Sequence, residues 1–189
     1  MRDLYLNFDL YIIEKGGRFF FSQFYTEGVA AVTKYIWYKW DEMRKDVNSL
    51  IRTVVLDKFI PEVIVGISRG GLTPGVMISH WFQKPFKPIK ASIRDFPEWE
   101  DYLPRKTDRK ILIVDDICDS GVTFQKISNH INTHGRTVVR PADIRFATLW
   151  WNNEAPEGFE PHYYTKECAK DSEGIWIHFP WEHWWDSPV

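Results

Sequence analysis

ILIVDDICDSGVTF, residues 111–124, opens with four apolar side chains, Ile111, Leu112, Ile113 and Val114, that do not alternate with polar ones. Such a run reads as a strand buried on both faces, the kind found inside a parallel sheet. It leads straight into Asp115 and Asp116, then Asp119, Ser120, Gly121, Val122 and Thr123. A helical pattern follows, with Phe124, Ile127 and Ile131 at i, i+3 and i+7. Carboxylates at the C-terminal end of a strand, followed by a small hydroxyl-bearing turn into a helix, make a site suited to a phosphorylated sugar. The amides and the helix dipole attract the anion, the hydroxyls add donors, and the acids can face sugar hydroxyls or a metal. The plainer alternative is an ordinary β-turn-α connection with Asp119 or Ser120 as a helix cap. That alternative does not explain two further acids at the end of an apolar strand, where an unpaired buried charge costs several kcal/mol.

Working outward, Trp40, Met43, Val47, Leu50, Ile51 and Val54 recur at helical spacing, with Asp41 and Glu42 where the dipole favours acids and Pro61 as the breaker. Val63, Ile64 and Val65 read as a short strand ending at Gly66. Thr73 and Pro74 read as N-cap and first residue of a helix reaching Trp81. Ile89 to Ile93 and Phe146 to Trp151 read as further strands, and Gly135 as the end of the helix after Phe124. Apolar strands alternating with helices predict an α/β fold, an open and mostly parallel twisted sheet flanked by helices. Residues 1–34 form a separate N-terminal extension in which two strands around Gly16-Gly17 read as a hairpin. It suits an added subunit contact or a lid. Residues 35–189 form the main domain, with a polar loop over 94–110 and a C-terminal segment over 152–185.

GISRGGL, Gly66 to Leu72, is a second strand-loop-helix turn. Its glycines allow close backbone approach, and Arg69 offers a fixed positive fork suited to phosphate. Glycine-rich turns are common, but this one and the Asp115 turn both fall at strand ends. Ligands of open parallel sheets bind there.

Together these residues resemble the signature of the type I phosphoribosyltransferases, which use phosphoribosyl diphosphate (PRPP). The resemblance implies that Asp115 and Asp116 hold the ribose hydroxyls, and that Asp116 helps carry Mg²⁺. Asp119 is the implied catalytic, proton-transferring group near the purine N7, and Asp119 to Thr123 wrap the 5′-phosphate. Val122 stands where many members have a second glycine. Ser68, Arg69 and Gly70 correspond to the pyrophosphate loop, with a cis peptide expected at Ser68–Arg69. The 94–110 segment corresponds to a mobile catalytic loop, with Arg94, Arg105 and Lys106 as candidates for the diphosphate. Water exclusion by such a loop protects the activated sugar from hydrolysis.

WIHFPWE, Trp176 to Glu182, resembles the hood of xanthine and guanine phosphoribosyltransferases. Trp176 would stack on the base and Ile177 would offer backbone groups to its edge. Trp181, Trp184 and Trp185 read instead as packing or dimer-interface residues. One departure stands out: Asn152 follows the ATLWW strand where related enzymes place a lysine for the purine 6-oxo oxygen. The base contact then falls to Asn152, or to Lys166, Asn153 or water.

The implied activity is transfer of a phosphoribosyl group from PRPP to a purine, with Mg²⁺ as cofactor and PRPP and the base as partners. The alternative is a non-catalytic regulator of the same fold that binds PRPP or a nucleotide. A homodimer or higher homo-oligomer is expected from the resemblance. A length of 189 residues suits one main domain, and a net charge of −2 gives no general attraction to nucleic acid or anionic membrane. No apolar run approaches the roughly 18–20 residues needed to span a bilayer. MRDLYLNFDL carries acids and lacks a long apolar core, so it does not read as a secretory signal. Cys118 and Cys168 alone suggest neither a disulfide framework nor a zinc site, and Cys118 reads as packing. A cytoplasmic location is the expectation.

Overall fold

The structure, a computed structural model, describes residues 11–15, 18–22, 34–90, 109–134, 143–155, 158–182, 184 and 185. The chain divides into two units, Met1–Ala31 and Val32–Val189. In the first, β1 (Tyr11–Lys15) and β2 (Arg18–Ser22) pair antiparallel, with Tyr11 opposite Ser22 and Lys15 opposite Arg18. This is the pairing expected around Gly16-Gly17.

The second unit is built on a five-stranded parallel sheet. Its elements are α1 (Trp40–Leu56), β4 (Val63–Ser68), α2 (Leu72–Phe82), β5 (Phe86–Lys90), β6 (Lys110–Cys118), α3 (Val122–His134), β7 (Asp143–Asn152) and β8 (Tyr163–Cys168). The strand order is β5-β4-β6-β7-β8. Strand alternation sorts side chains to two apolar faces. Val63, Val65, Ile67, Ile111 and Ile113 pack with Phe124 and Ile127 of α3. Ile64, Leu112 and Val114 pack with Leu50 and Val54 of α1 and Ile78 of α2. Both faces are covered, which is why these strands read as continuous apolar runs.

After β4 the chain moves outward to β5, then returns past β4 to β6. The order therefore reverses between β4 and β6, the kind of switch point where open α/β sheets bind ligands. Beside this sheet, β3 (Lys34–Trp37) pairs in parallel with β9 (Ile175–His178), which follows the short helix α4 (Lys170–Glu173). That pair forms the hood.

Several boundaries differ from expectation for identifiable reasons. α1 stops at Leu56, before Pro61, because Lys58 adopts φ +56° and the Lys58 and Phe59 amides turn back to Val55 and Val54. α2 starts after Gly71, not at Thr73-Pro74. β5 spans Phe86–Lys90 and includes Pro88, which an edge strand tolerates; Ala91 to Ile93 lie outside the described residues. Most of the 94–110 segment, with Arg94, Arg105 and Lys106, lies outside them too, as does Gly135. Among the described residues no helix is long and apolar enough to cross a membrane.

Candidate active site

β6 continues past Val114 through Cys118, so Asp115 and Asp116 belong to the strand itself. Their carboxyls stay within hydrogen-bonding reach of each other. Asp116 lies against Gly70 of the β4–α2 turn, where an added Cβ would sit 2.0 Å from its Oδ2. Asp115 lines a cleft with Cys118, Asp119, Ser120, Gly121 and Thr123. The glycine-arginine turn and the acidic turn therefore meet at one rim of the sheet. Gly71 is as tightly placed, its missing Cβ falling 2.1 Å from the Val114 carbonyl oxygen. The Ser68–Arg69 peptide is cis, as expected. Arg69 is exposed at the rim.

Burial pushes the Asp115 carboxyl well above the usual range, and the neighbouring Asp116 charge adds to this. Asp116 is raised to about 6, first by burial and further by the Glu182 carboxylate of the hood. The amides of Asp116 and Ile117 donate to the Asp115 and Asp116 carboxylates at 3.0 and 2.8 Å, offsetting part of the cost. An acid that holds its proton more tightly when folded makes the folded state lose stability as pH rises from the unfolded value, near 3.9 for aspartate, to the raised one. Asp116→Asn is therefore expected to raise the melting temperature of the ligand-free protein at about pH 8 and to lose that advantage towards about pH 4. Thermal unfolding across this range checks it; a pH-independent difference would mean that Asp116 is not the titrating group.

Gly121 has φ +77°, and a Cβ there would meet Phe159 at 2.6 Å, so the turn requires glycine twice over. Val122 is already the first residue of α3, in helical backbone, and needs no glycine. Its amide reaches the Ser120 hydroxyl at 3.4 Å. The 120–123 amides thus gather at a helix N-terminus, a ready anion cradle. Cys118 is buried, its Sγ 3.7 Å from the Phe159 carbonyl oxygen. Burial first, then the charges of Asp115 and Asp119, push its thiol up to about 12. It packs and stays protonated, which removes it as a nucleophile.

The hood reaches the same rim through a side chain that sequence reasoning overlooked. Lys170 forms an ion pair with Asp119 Oδ2, and its Nζ lies 5.2 Å from the centre of the Trp176 ring. One ammonium thus joins the candidate catalytic acid to the candidate base platform. Trp176 keeps an exposed face, whereas the Ile177 side chain is buried in the core and its residue pairs with Ile36 of β3.

Asn152, expected at the base edge, is 1% exposed. Its Nδ2 donates to Asp119 Oδ1 at 3.4 Å, and its Oδ1 accepts from the amides of Lys170 (3.1 Å) and Glu154 (3.3 Å). So placed it braces Asp119 and Lys170 and cannot itself reach a ligand, which corrects the expected contact. The substitutes considered for it are also engaged elsewhere. Lys166 pairs with Asp46 at 3.0 Å and lies over the Tyr38 ring, and Asn153 donates to Glu167 at 3.4 Å. Trp181 packs on Phe179, but Trp184 and Trp185 are exposed rather than packed in the core.

Residues 37–188 match the phosphoribosyl transferase domain. The chain belongs to that family. It is a phosphoribosyltransferase, a pentosyl-transferring enzyme. Among curated relatives, the chain is 28% identical over 154 residues to xanthine-guanine phosphoribosyltransferase of Gluconobacter oxydans, covering 76% of this chain and 82% of that protein. It is 27% identical over 160 residues to the protein of the same name from Cereibacter sphaeroides, covering 76% and 84%. Among solved structures, the Helicobacter pylori xanthine-guanine-hypoxanthine phosphoribosyltransferase superposes with a TM-score of 0.65 at 21% identity, covering 79% of this chain and 95% of that one. A purine phosphoribosyltransferase from Pyrococcus horikoshii gives 0.61 at 25% identity, covering 82% and 97%. These likenesses agree with the mostly parallel sheet flanked by helices.

Proposed function

We propose that this phosphoribosyltransferase moves the 5-phosphoribosyl group of PRPP onto a 6-oxopurine (xanthine, guanine or hypoxanthine), releasing pyrophosphate and the nucleoside 5′-monophosphate. The observation that carries this is the meeting of Gly70 with Asp116 at one rim, while Lys170 ties Asp119 to Trp176. A single extended substrate can then span the diphosphate turn, the sugar acids, the phosphate cradle and the base platform.

Each part has a physical task. The amides at the start of α3, with Ser120 and Thr123, hold the 5′-phosphate. Asp115 and Asp116 accept from ribose hydroxyls. Ser68, Arg69 and Gly70 face the leaving diphosphate, where Arg69 offsets developing negative charge. The bond from the anomeric carbon to the diphosphate oxygen breaks as a bond to purine N9 forms, and Asp119 accepts the N7 proton. Two neighbouring carboxylates, Asp116 buried and Asp115 half-buried, fit Mg²⁺, which takes one or two protein carboxylates together with substrate phosphates. Asp116 is the residue that would hold it; when bound it supplies positive charge at the diphosphate.

Trp176 presents its ring to the base. Stacking of a base on an aromatic ring is worth about 1–3 kcal/mol, so Trp176→Ala is expected to raise the KM for the base about 5–150-fold with a smaller change in kcat. An unchanged base KM would leave Trp176 as packing. The function itself is tested by mixing PRPP, Mg²⁺ and each of xanthine, guanine, hypoxanthine and adenine, with nucleotide detected by chromatography. Nucleotide from a 6-oxopurine is expected. No turnover of any base, with PRPP binding intact, would overturn the proposal and favour the regulatory alternative.

A further inference from the structure

We propose that Glu154 is a positioning residue: by capping α4 it seats Lys170, and through Lys170 it sets the direction of the Asp119 carboxylate. α4 is only four residues long, far short of what holds a helix together by itself. Its N-cap is Ala169, which has no side-chain acceptor. The Glu173 amide reaches the Ala169 carbonyl at 3.0 Å, but those of Lys170, Asp171 and Ser172 are the orphan donors of a helix start. Their acceptors come from the exit of β7. Asn152 Oδ1 accepts the Lys170 amide at 3.1 Å, and Glu154 Oε2 accepts the Ser172 amide at 2.9 Å. The Ser172 hydroxyl, its amide and the Asp171 amide hold the Glu154 carboxyl below its usual range. An anion at this end of a helix is also favoured by the dipole.

The cap matters at the rim because of the side chain that α4 carries there. Lys170 pairs with Asp119 Oδ2, while Asn152 Nδ2 donates to Oδ1 at 3.4 Å. The Asp119 side chain is 46% exposed and that of Lys170 20%. A half-exposed aspartate on a turn has several rotamers open to it, and these two contacts select one. Asn152 is fixed by the sheet, where it pairs with Cys168. Lys170 depends on where α4 stands, and α4 depends on Glu154. Glu154 is exposed and bonds to α4, so its influence on Asp119 passes through Lys170. Only the effect on turnover rests on the proton-accepting role given to Asp119 above.

The test observes the carboxyl carbon of Asp119 by NMR in the ligand-free protein, assigned with Asp119→Asn, with folding checked by circular dichroism. Glu154→Ala is expected to shift this resonance, and Glu154→Gln, which keeps one acceptor oxygen, to restore part of the original position. In a Lys170→Met background Glu154→Ala should shift it no further. Loss of a helix cap sets the scale for turnover, so Glu154→Ala is expected to lower kcat about 3–30-fold with little change in the KM for PRPP. An unmoved Asp119 resonance, the same shift with and without Lys170, an unchanged kcat in an active protein, or a KM for PRPP that rises as much as kcat falls would each overturn the proposal. The NMR readings need no turnover. If no purine is converted while Glu154→Ala still moves Asp119 through Lys170, the transfer reaction fails and the positioning stands.

Discussion

Asp119→Asn is expected to lower kcat about 10²–10⁴-fold, the range that positioned acid–base groups supply, while PRPP affinity changes little. The two effects separate because the residue does two things with different atoms. Its backbone opens the turn proposed to hold the 5′-phosphate, and that turn is shaped by Gly121 at φ +77° and by the Ser120 hydroxyl, neither of which the substitution touches. Its carboxylate faces the hood, where it meets Asn152 and Lys170. Asparagine keeps an oxygen that can accept from Lys170 and nearly the same shape. It loses the ability to take a proton. Steady-state kinetics with saturating PRPP, alongside PRPP binding by calorimetry, distinguishes the outcomes. Equal losses in turnover and PRPP affinity would assign Asp119 to the phosphate cradle alone.

Why the sequence disclosed the rim turns and the WIHFPWE segment, but not the strand pairing behind them, has a physical explanation. The strands β4, β6 and β7 are buried on both faces, so each leaves an unbroken apolar run, and the turns after β4 and β6 carry residue types tied to local backbone needs. Those are local signals. β3 and β9 pair across more than a hundred intervening residues, and KYIW carries no trace of its partner. β8 reads YYTKEC because it is an edge strand with its middle residues partly exposed, so neither an apolar run nor a clean alternation marks it. Lys170 was hidden for the same reason. Its significance depends on the pairing of Asn152 with Cys168 across β7 and β8, which brings the start of α4 beside Asp119. The nearest cations before Trp176 are Lys166 and Lys170. Only the fold separates them, sending the first to Asp46 and the second to Asp119. The glycines of SRGG were legible as sites of close approach, but what they approach first is β6.

Gly71→Ala and Gly70→Ala should fail differently, and the contrast tests how the rim is built. Gly71 has φ −72°, which any residue adopts, so the constraint is space alone. A Cβ there meets the Val114 carbonyl at 2.1 Å and the Ile67 amide nitrogen at 2.8 Å. These are backbone atoms of two paired central strands, with no rotamer to give way. Relief requires moving β4 from β6 or unwinding the start of α2, and overpacking of this kind costs about 1–3 kcal/mol or more. Gly71→Ala is therefore expected to lower the melting temperature by several degrees, at about 2–4 °C per kcal/mol for a chain of this size. At Gly70 the obstacle is the Asp116 carboxylate, 2.0–2.3 Å from the added carbon, and a side chain can rotate. Gly70→Ala should keep the protein folded yet sharply reduce PRPP affinity, because Asp116 would be displaced from the proposed sugar site. Melting curves and PRPP titrations on both variants decide the matter. If Gly70→Ala binds PRPP normally, the contact between the two turns is not what aligns the sugar acids, and the single-substrate rim loses its main support.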